Sequence, residues 1–173
     1  MALESKFYSN MKPYHFILVG VLSLVFVSCD LDGKNERTPH FFVSARHIGD
    51  TIPLNFWRHP PDTISVGDTL IFKTELISVF SPLKEYRITS SHRSSVKFIW
   101  PPTDTLNLAF NLGASNLTEG RFVTTGNYNW IEFDFQYVAL KPEKDLTLSF
   151  VVINGGSAGF NTQTVTIRTP IKD

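Results

Sequence analysis

The sequence predicts an all-β protein, an antiparallel β-sandwich of about seven to nine strands. Three observations carry this. Ile131, Phe133, Phe135 and Tyr137 alternate with Glu132, Asp134 and Gln136, a period of two that belongs to a half-buried strand. Short apolar runs are separated throughout by Gly, Pro and Asp turn signals. No stretch combines a helical period with helix caps. Composition agrees: the chain has 15 Phe and 13% aromatic residues, with Thr, Val and Ile plentiful. Such side chains suit a pleated surface.

The strands are expected at residues 41–48, then at 52–57, stopped by Pro60 and Pro61, and then around a Gly67-Asp68 turn. Beyond that turn Leu70, Phe72, Thr74 and Leu76 share one face, and Lys73 and Glu75 the other. Further strands are expected at 86–89, at 96–100 before Pro101-Pro102, and at 105–112 before Gly113. The clearest is 128–140, followed by 146–153 and 162–169, with a glycine-rich connection at 154–159 between the last two. The Ser65-Val66-Gly67-Asp68-Thr69-Leu70 segment and the two-strand ending resemble the immunoglobulin-like modules of surface proteins. The resemblance covers roughly residues 40–170 and implies that sandwich fold, without the cysteine pair of antibody-type domains.

The first thirty residues differ in kind. Residues 16–26 are apolar and uncharged, Lys12 precedes them, and Ser28 stands just before Cys29. A basic start, a short apolar run and a small residue at the cut form a secretory signal. The run is shorter than the roughly 20 residues that a membrane-spanning helix needs. Met11-Lys12 is a more usual start for such a signal, so residues 1–10 are read as an upstream extension. Phe26-Val27-Ser28-Cys29 resembles the lipobox of bacterial lipoproteins, with Phe26 where that family prefers Leu. The resemblance implies that residues 1–28 are removed and that Cys29 is lipidated, which makes the membrane a partner and the cell envelope the location, at the outer membrane. Cys29 is the sole cysteine, so no disulfide can form within the chain. The alternative is an incidental thiol in an uncleaved anchor. Residues 29–39 are polar and aperiodic, as befits a tether, and 40–173 form the sandwich domain.

Sixteen basic residues balance sixteen acidic ones, so there is no electrostatic footprint for nucleic acid. His40, His47, His59 and His92 lack metal-ligand spacing, and neither a nucleophile elbow nor a phosphate loop is present. No cofactor, metal or catalytic residue is expected, and the chain is read as non-enzymatic. Glu132 and Asp134 share one strand face about 7 Å apart, within the roughly 5–9.5 Å of glycosidase pairs. A small glycan-acting hydrolase using them is therefore the enzymatic alternative, which calls for a concave pocket with perturbed carboxylates. A solvated sheet face supplies the same spacing without any chemistry.

Trp130 shares the parity of Glu132, Asp134 and Gln136 and is expected to face outward. An exposed indole beside carboxylates and an amide can contact a polysaccharide or another envelope protein. Trp57 and Trp100 are expected in the core or packed at strand ends. Pairing with an assembly or adhesion partner through an edge strand is a third reading. Asp-Thr-aliphatic triplets place Thr51, Thr63, Thr69 and Thr105 in a pattern that resembles the O-glycosylation site of Bacteroidetes envelope proteins. The same pattern also suits Asp closing a turn and Thr opening a strand.

Overall fold

A computed structural model describes residues 38–156 and 161–173. The lipobox, Cys29, the signal and most of the tether lie outside the described residues. The elements are β1 (His40–His47), β2 (Ile64–Ser65), β3 (Thr69–Ile77), β4 (Leu83–Ser90), β5 (Val96–Ile99), α1 (Thr103–Asn107), β6 (Arg121–Val123), β7 (Trp130–Ala139), β8 (Thr147–Asn154), β9 (Thr162–Arg168) and β10 (Ile171–Lys172). They form an antiparallel β-sandwich. One sheet has the order β1-β3-β7-β5 and the other β6-β4-β8-β9. A short parallel pair, β10 with β2, joins the chain end to the start of the β3 hairpin region.

This order is that of an immunoglobulin-like sandwich: the first sheet matches strands A-B-E-D and β4-β8-β9 match C-F-G. The addition is β6, which comes after β5 in sequence and pairs outside β4. To reach it the chain leaves the first sheet after β5 and crosses back to the second. That crossing, residues 100–120, builds one wall of the groove described below.

Aromatic packing holds the two sheets together. Phe72 of β3 meets Phe150 of β8 across the core at 6.1 Å between ring centroids. These are the two strands that antibody domains join by a disulfide. Phe72 also stacks on Phe135 of β7 at 5.2 Å. Tyr86 and Phe122 of the second sheet close on Phe133 of the first, at 6.1 and 4.9 Å. Each such ring removes a large apolar area from water and adds roughly 0.5–1.5 kcal/mol per well-oriented pair.

The expected alternation is realised. Ile131, Phe133, Phe135, Tyr137 and Ala139 of β7 are buried, as are Leu70, Phe72, Thr74 and Leu76 of β3. β3 and β7 pair without a break from Thr69↔Val138 to Ile77↔Trp130. A one-residue slip would turn the four large side chains of β7 into water, so burial fixes the register.

Among the described residues there are ten strands, of which β2, β6 and β10 are only two or three residues long. Three expectations need correction. Residues 52–57 form a turn, not a strand. Pro53 has no N–H to give a ladder, and the Asn55 side chain accepts from the N–H groups of Trp57 and Arg58. That turn buries Phe56 against Phe72 and leaves Trp57 61% exposed, contrary to the packed position expected for it. Residues 105–112 are not a strand either. Pro102 caps α1, Asp104 sits in its first turn where the helix dipole favours an acid, and Leu106 is its buried anchor. Trp100 does pack into the core, and its Nε1–H donates to the Leu117 carbonyl at 3.0 Å. Among the described residues no helix is long and apolar enough to cross a membrane.

The Tyr86 hydroxyl is fully enclosed beside Thr74 and, among the described residues, has no partner in hydrogen-bond geometry. Thr74 itself donates to the Phe133 carbonyl at 2.5 Å. Burial pushes the phenol well above its ordinary pKa. Tyr86→Phe should therefore match or exceed the wild type in chemical denaturation, because it deletes an unsatisfied buried donor. Tyr86→Ala should lose about 3–5 kcal/mol. A Tyr86→Phe loss as large as that of the alanine variant would contradict this packing.

Candidate functional site

Sheet pairing brings the outward residues of the first sheet into rows. Trp130 lies opposite Ile77, Glu132 opposite Glu75, Asp134 opposite Lys73, and Gln136 between Ile71 and Ile99. On the far side of β3, Phe42 faces Glu75 and Arg46 faces Ile71. Trp130, Glu132, Asp134 and Gln136 all reach solvent, as their parity requires.

Trp130 is 58% exposed, and its Nε1–H donates to Glu75 Oε1 at 3.0 Å. The hydrogen bond restricts rotation of the indole. Glu75 and Glu132 stand directly opposite one another, an unfavourable like-charge pair. The indole hydrogen bond offsets part of that repulsion.

The structure adds a groove that the sequence alone did not reveal. β5 accompanies β7 only from Ala139 to Gln136 and ends at Ile99. Beyond it, Pro101 and Pro102 carry the chain away. The resulting groove has a volume of about 650 Å³. One side is β7, with Glu132, Asp134 and Gln136 at the rim and Phe133 and Phe135 deeper. The other side is apolar, formed by Pro101, Pro102, Leu106 and Ala109. Among the described residues no cationic side chain lines the groove.

One carboxylate of the rim is perturbed. Although Asp134 reaches solvent, desolvation by partial burial raises its pKa from its ordinary value. Glu132 adds to the rise, while Lys73 and Arg46 oppose it. A groove with a perturbed carboxylate is what the glycan-hydrolase alternative calls for, but both acids lie on one strand and one side of the groove. Glycosidase carboxylates flank the bond they cleave, and the wall opposite Glu132 and Asp134 offers no titratable group.

The other predicted residues lie apart. Thr51, Thr63 and Thr105 are exposed, whereas Thr69 is half-buried at the start of β3. Thr105 lies on α1 at the groove wall. Among the described residues no cluster of three or more His, Cys, Asp or Glu is arranged for a metal. His47 and His92 instead approach Asp68 and Glu143, at 3.9 and 3.8 Å. The groove-wall residues were missed because their contribution depends on the crossing between sheets. Pro101-Pro102, read as a strand stop, was the one available signal.

No protein-family model matches the chain, and no curated protein matches it. Among solved structures it is similar to a DUF4466 family protein from Parabacteroides merdae, at 11% identity and a TM-score of 0.44 over 78% of this chain. The chain spans about half of that protein, 46% of its length. It is also similar to a FixG-related protein from Vibrio parahaemolyticus, at 10% identity and a TM-score of 0.39, covering 77% of this chain and 97% of that one.

The raised pKa of Asp134 makes a stability prediction. A carboxylate whose folded pKa exceeds its unfolded value opposes folding once it ionises, and this penalty is complete above both values. Asp134→Asn should therefore melt higher than wild type at pH 7. The difference should shrink as pH falls through the window between the two pKa values and vanish below it. Thermal melts across pH 3–7 test this, and a lower melting temperature for Asp134→Asn at neutral pH would contradict it.

Proposed function

We propose that this chain is a non-enzymatic binding module of the bacterial cell envelope, held on the outer membrane by lipid on Cys29, that engages an envelope protein along β7. The observation that carries the binding half is the groove beside β7, whose apolar wall faces an acidic rim. Concave sites with an apolar lining and a few placed polar groups are the usual form of binding sites. The one-sided placement of Glu132 and Asp134 favours binding over hydrolysis.

The anchoring half rests on the lipobox-like segment and the polar tether after it. Two or three acyl chains, as bacterial lipoproteins carry, would hold a protein more firmly than one can. Polysaccharide binding is the second reading. It is favoured by Trp130, whose exposed indole is fixed by Glu75 and so offers a flat stacking surface. Sugars on Thr51, Thr63, Thr69 or Thr105 would mark the same compartment.

Growth with radiolabelled palmitate tests the anchor. Wild-type protein should carry label and begin at Cys29, and Cys29→Ser should carry none. Equal labelling of both, or a leader retained on both, would overturn the reading.

A further inference from the structure

The groove beside β7 has the shape of a missing length of β-strand. In an antiparallel ladder, successive residues turn their main-chain N–H and C=O groups alternately to the two neighbouring strands. The parity of β7 can be read from bonds at its ends. Ala139 donates to Asp68 and accepts from Gly67, both on the β3 side. Asn129 accepts from Ser78, also on the β3 side. Leu140 donates to Ser95, on the β5 side. The β3–β7 register is continuous, so odd-numbered residues serve β3 and even-numbered ones point the other way. The N–H and C=O groups of Glu132 and Asp134 therefore face the groove, where β5 has already ended.

We infer that this open stretch of β7 accepts an extended peptide from a partner protein, paired antiparallel to β7 as the continuation of β5 and carrying cationic side chains at alternate positions. The inference deepens the binding reading above and rests on it. Exposed strand edges are templates for strand addition, with main-chain bonds giving affinity and alternate side chains giving specificity. The chemistry of the two faces follows from the pleat. Peptide residues directly opposite Glu132 and Asp134 put their side chains on the same outward face, where the carboxylates of Glu132, Asp134 and Glu75 outnumber the cations Lys73 and Arg46 on the β3 side. Lys or Arg fits there. The intervening residues point inward, toward Phe133, Phe135, Leu106 and Phe110, where apolar side chains fit. Charge complementarity thus selects a cationic segment rather than an acidic one.

The hydrogen-bond pattern allows a sharp test. A residue opposite Glu132 or Asp134 directs its own N–H at β7, so in the peptide Lys-Val-Lys-Val-Lys-Val the Lys amides should bond to the protein and the Val amides should face away. Binding of the fluorescently labelled peptide to the soluble domain is measured by anisotropy, beside two isomers N-methylated on the Lys or on the Val amides. All three have the same charge. The parent and the Val-methylated isomer should bind alike, and the Lys-methylated isomer at least about tenfold more weakly. A Glu-for-Lys peptide should also lose at least about tenfold, as should Glu132→Lys and Asp134→Lys proteins that keep the wild-type melting temperature. Equal binding of the two isomers would show a cation held without strand pairing and would overturn the inference. If no peptide binds but neutral oligosaccharides do, with loss on Trp130→Ala, the inference fails and the module is glycan-binding. If peptides fail and the domain sediments as a dimer that Asp134→Lys dissociates, a second copy fills the groove and the inference again fails. Failure of peptides and glycans alike in a monomer overturns both this inference and the binding reading.

Discussion

The unbroken register between β3 and β7 is the constraint on which the rest of the structure depends. It turns Ile131, Phe133, Phe135 and Tyr137 into the core and leaves Trp130, Glu132, Asp134 and Gln136 on the surface. The same ladder decides which main-chain groups β3 consumes and which remain for the other side. Core, surface site and open edge are thus three consequences of one pairing. The aromatic contacts of Phe72 with Phe135 and Phe150 make that pairing costly to shift, since any slip exposes the rings that join the sheets.

What was legible in the sequence was whatever period two determines. The β7 alternation gave strand, buried face and exposed face at once, and Trp130 emerged on the outward side as its parity demanded. The β3 segment was equally plain. Where length or local hydrogen bonding prevailed, the pattern misled. β6 has only three residues, too few to show a period, yet its Phe122 is fully buried. Residues 52–57 look like a strand until Asn55 satisfies the following N–H groups by itself. Residues 105–112 read as a strand because Leu106, Ala109 and Phe110 are apolar, but the two prolines before them direct the chain into a helical turn.

The candidate site was half legible for the same reason. Its acidic rim lies within one strand and could be read from spacing. Its apolar wall comes from residues 101–109, brought there by a crossing between sheets that no local pattern encodes. The charged partners depend likewise on pairing: Glu75 and Lys73 acquire their roles only because β3 places them opposite Glu132 and Asp134. Asp134 combines both kinds of information, since its position came from alternation, whereas its raised pKa comes from burial and Glu132 against the opposing Lys73 and Arg46.

The central claim is that β7 is paired on both sides along one half and on one side along the other. Residue-resolved amide hydrogen exchange on the free soluble domain tests this most directly. The account predicts slow exchange at Ile131, Phe133, Phe135 and Tyr137, whose N–H groups serve β3, and slow exchange at Val138, which β5 covers. It predicts fast exchange at Glu132 and Asp134. Uniform protection through residues 131–138 would contradict it, because some other part of the molecule would then already occupy the edge.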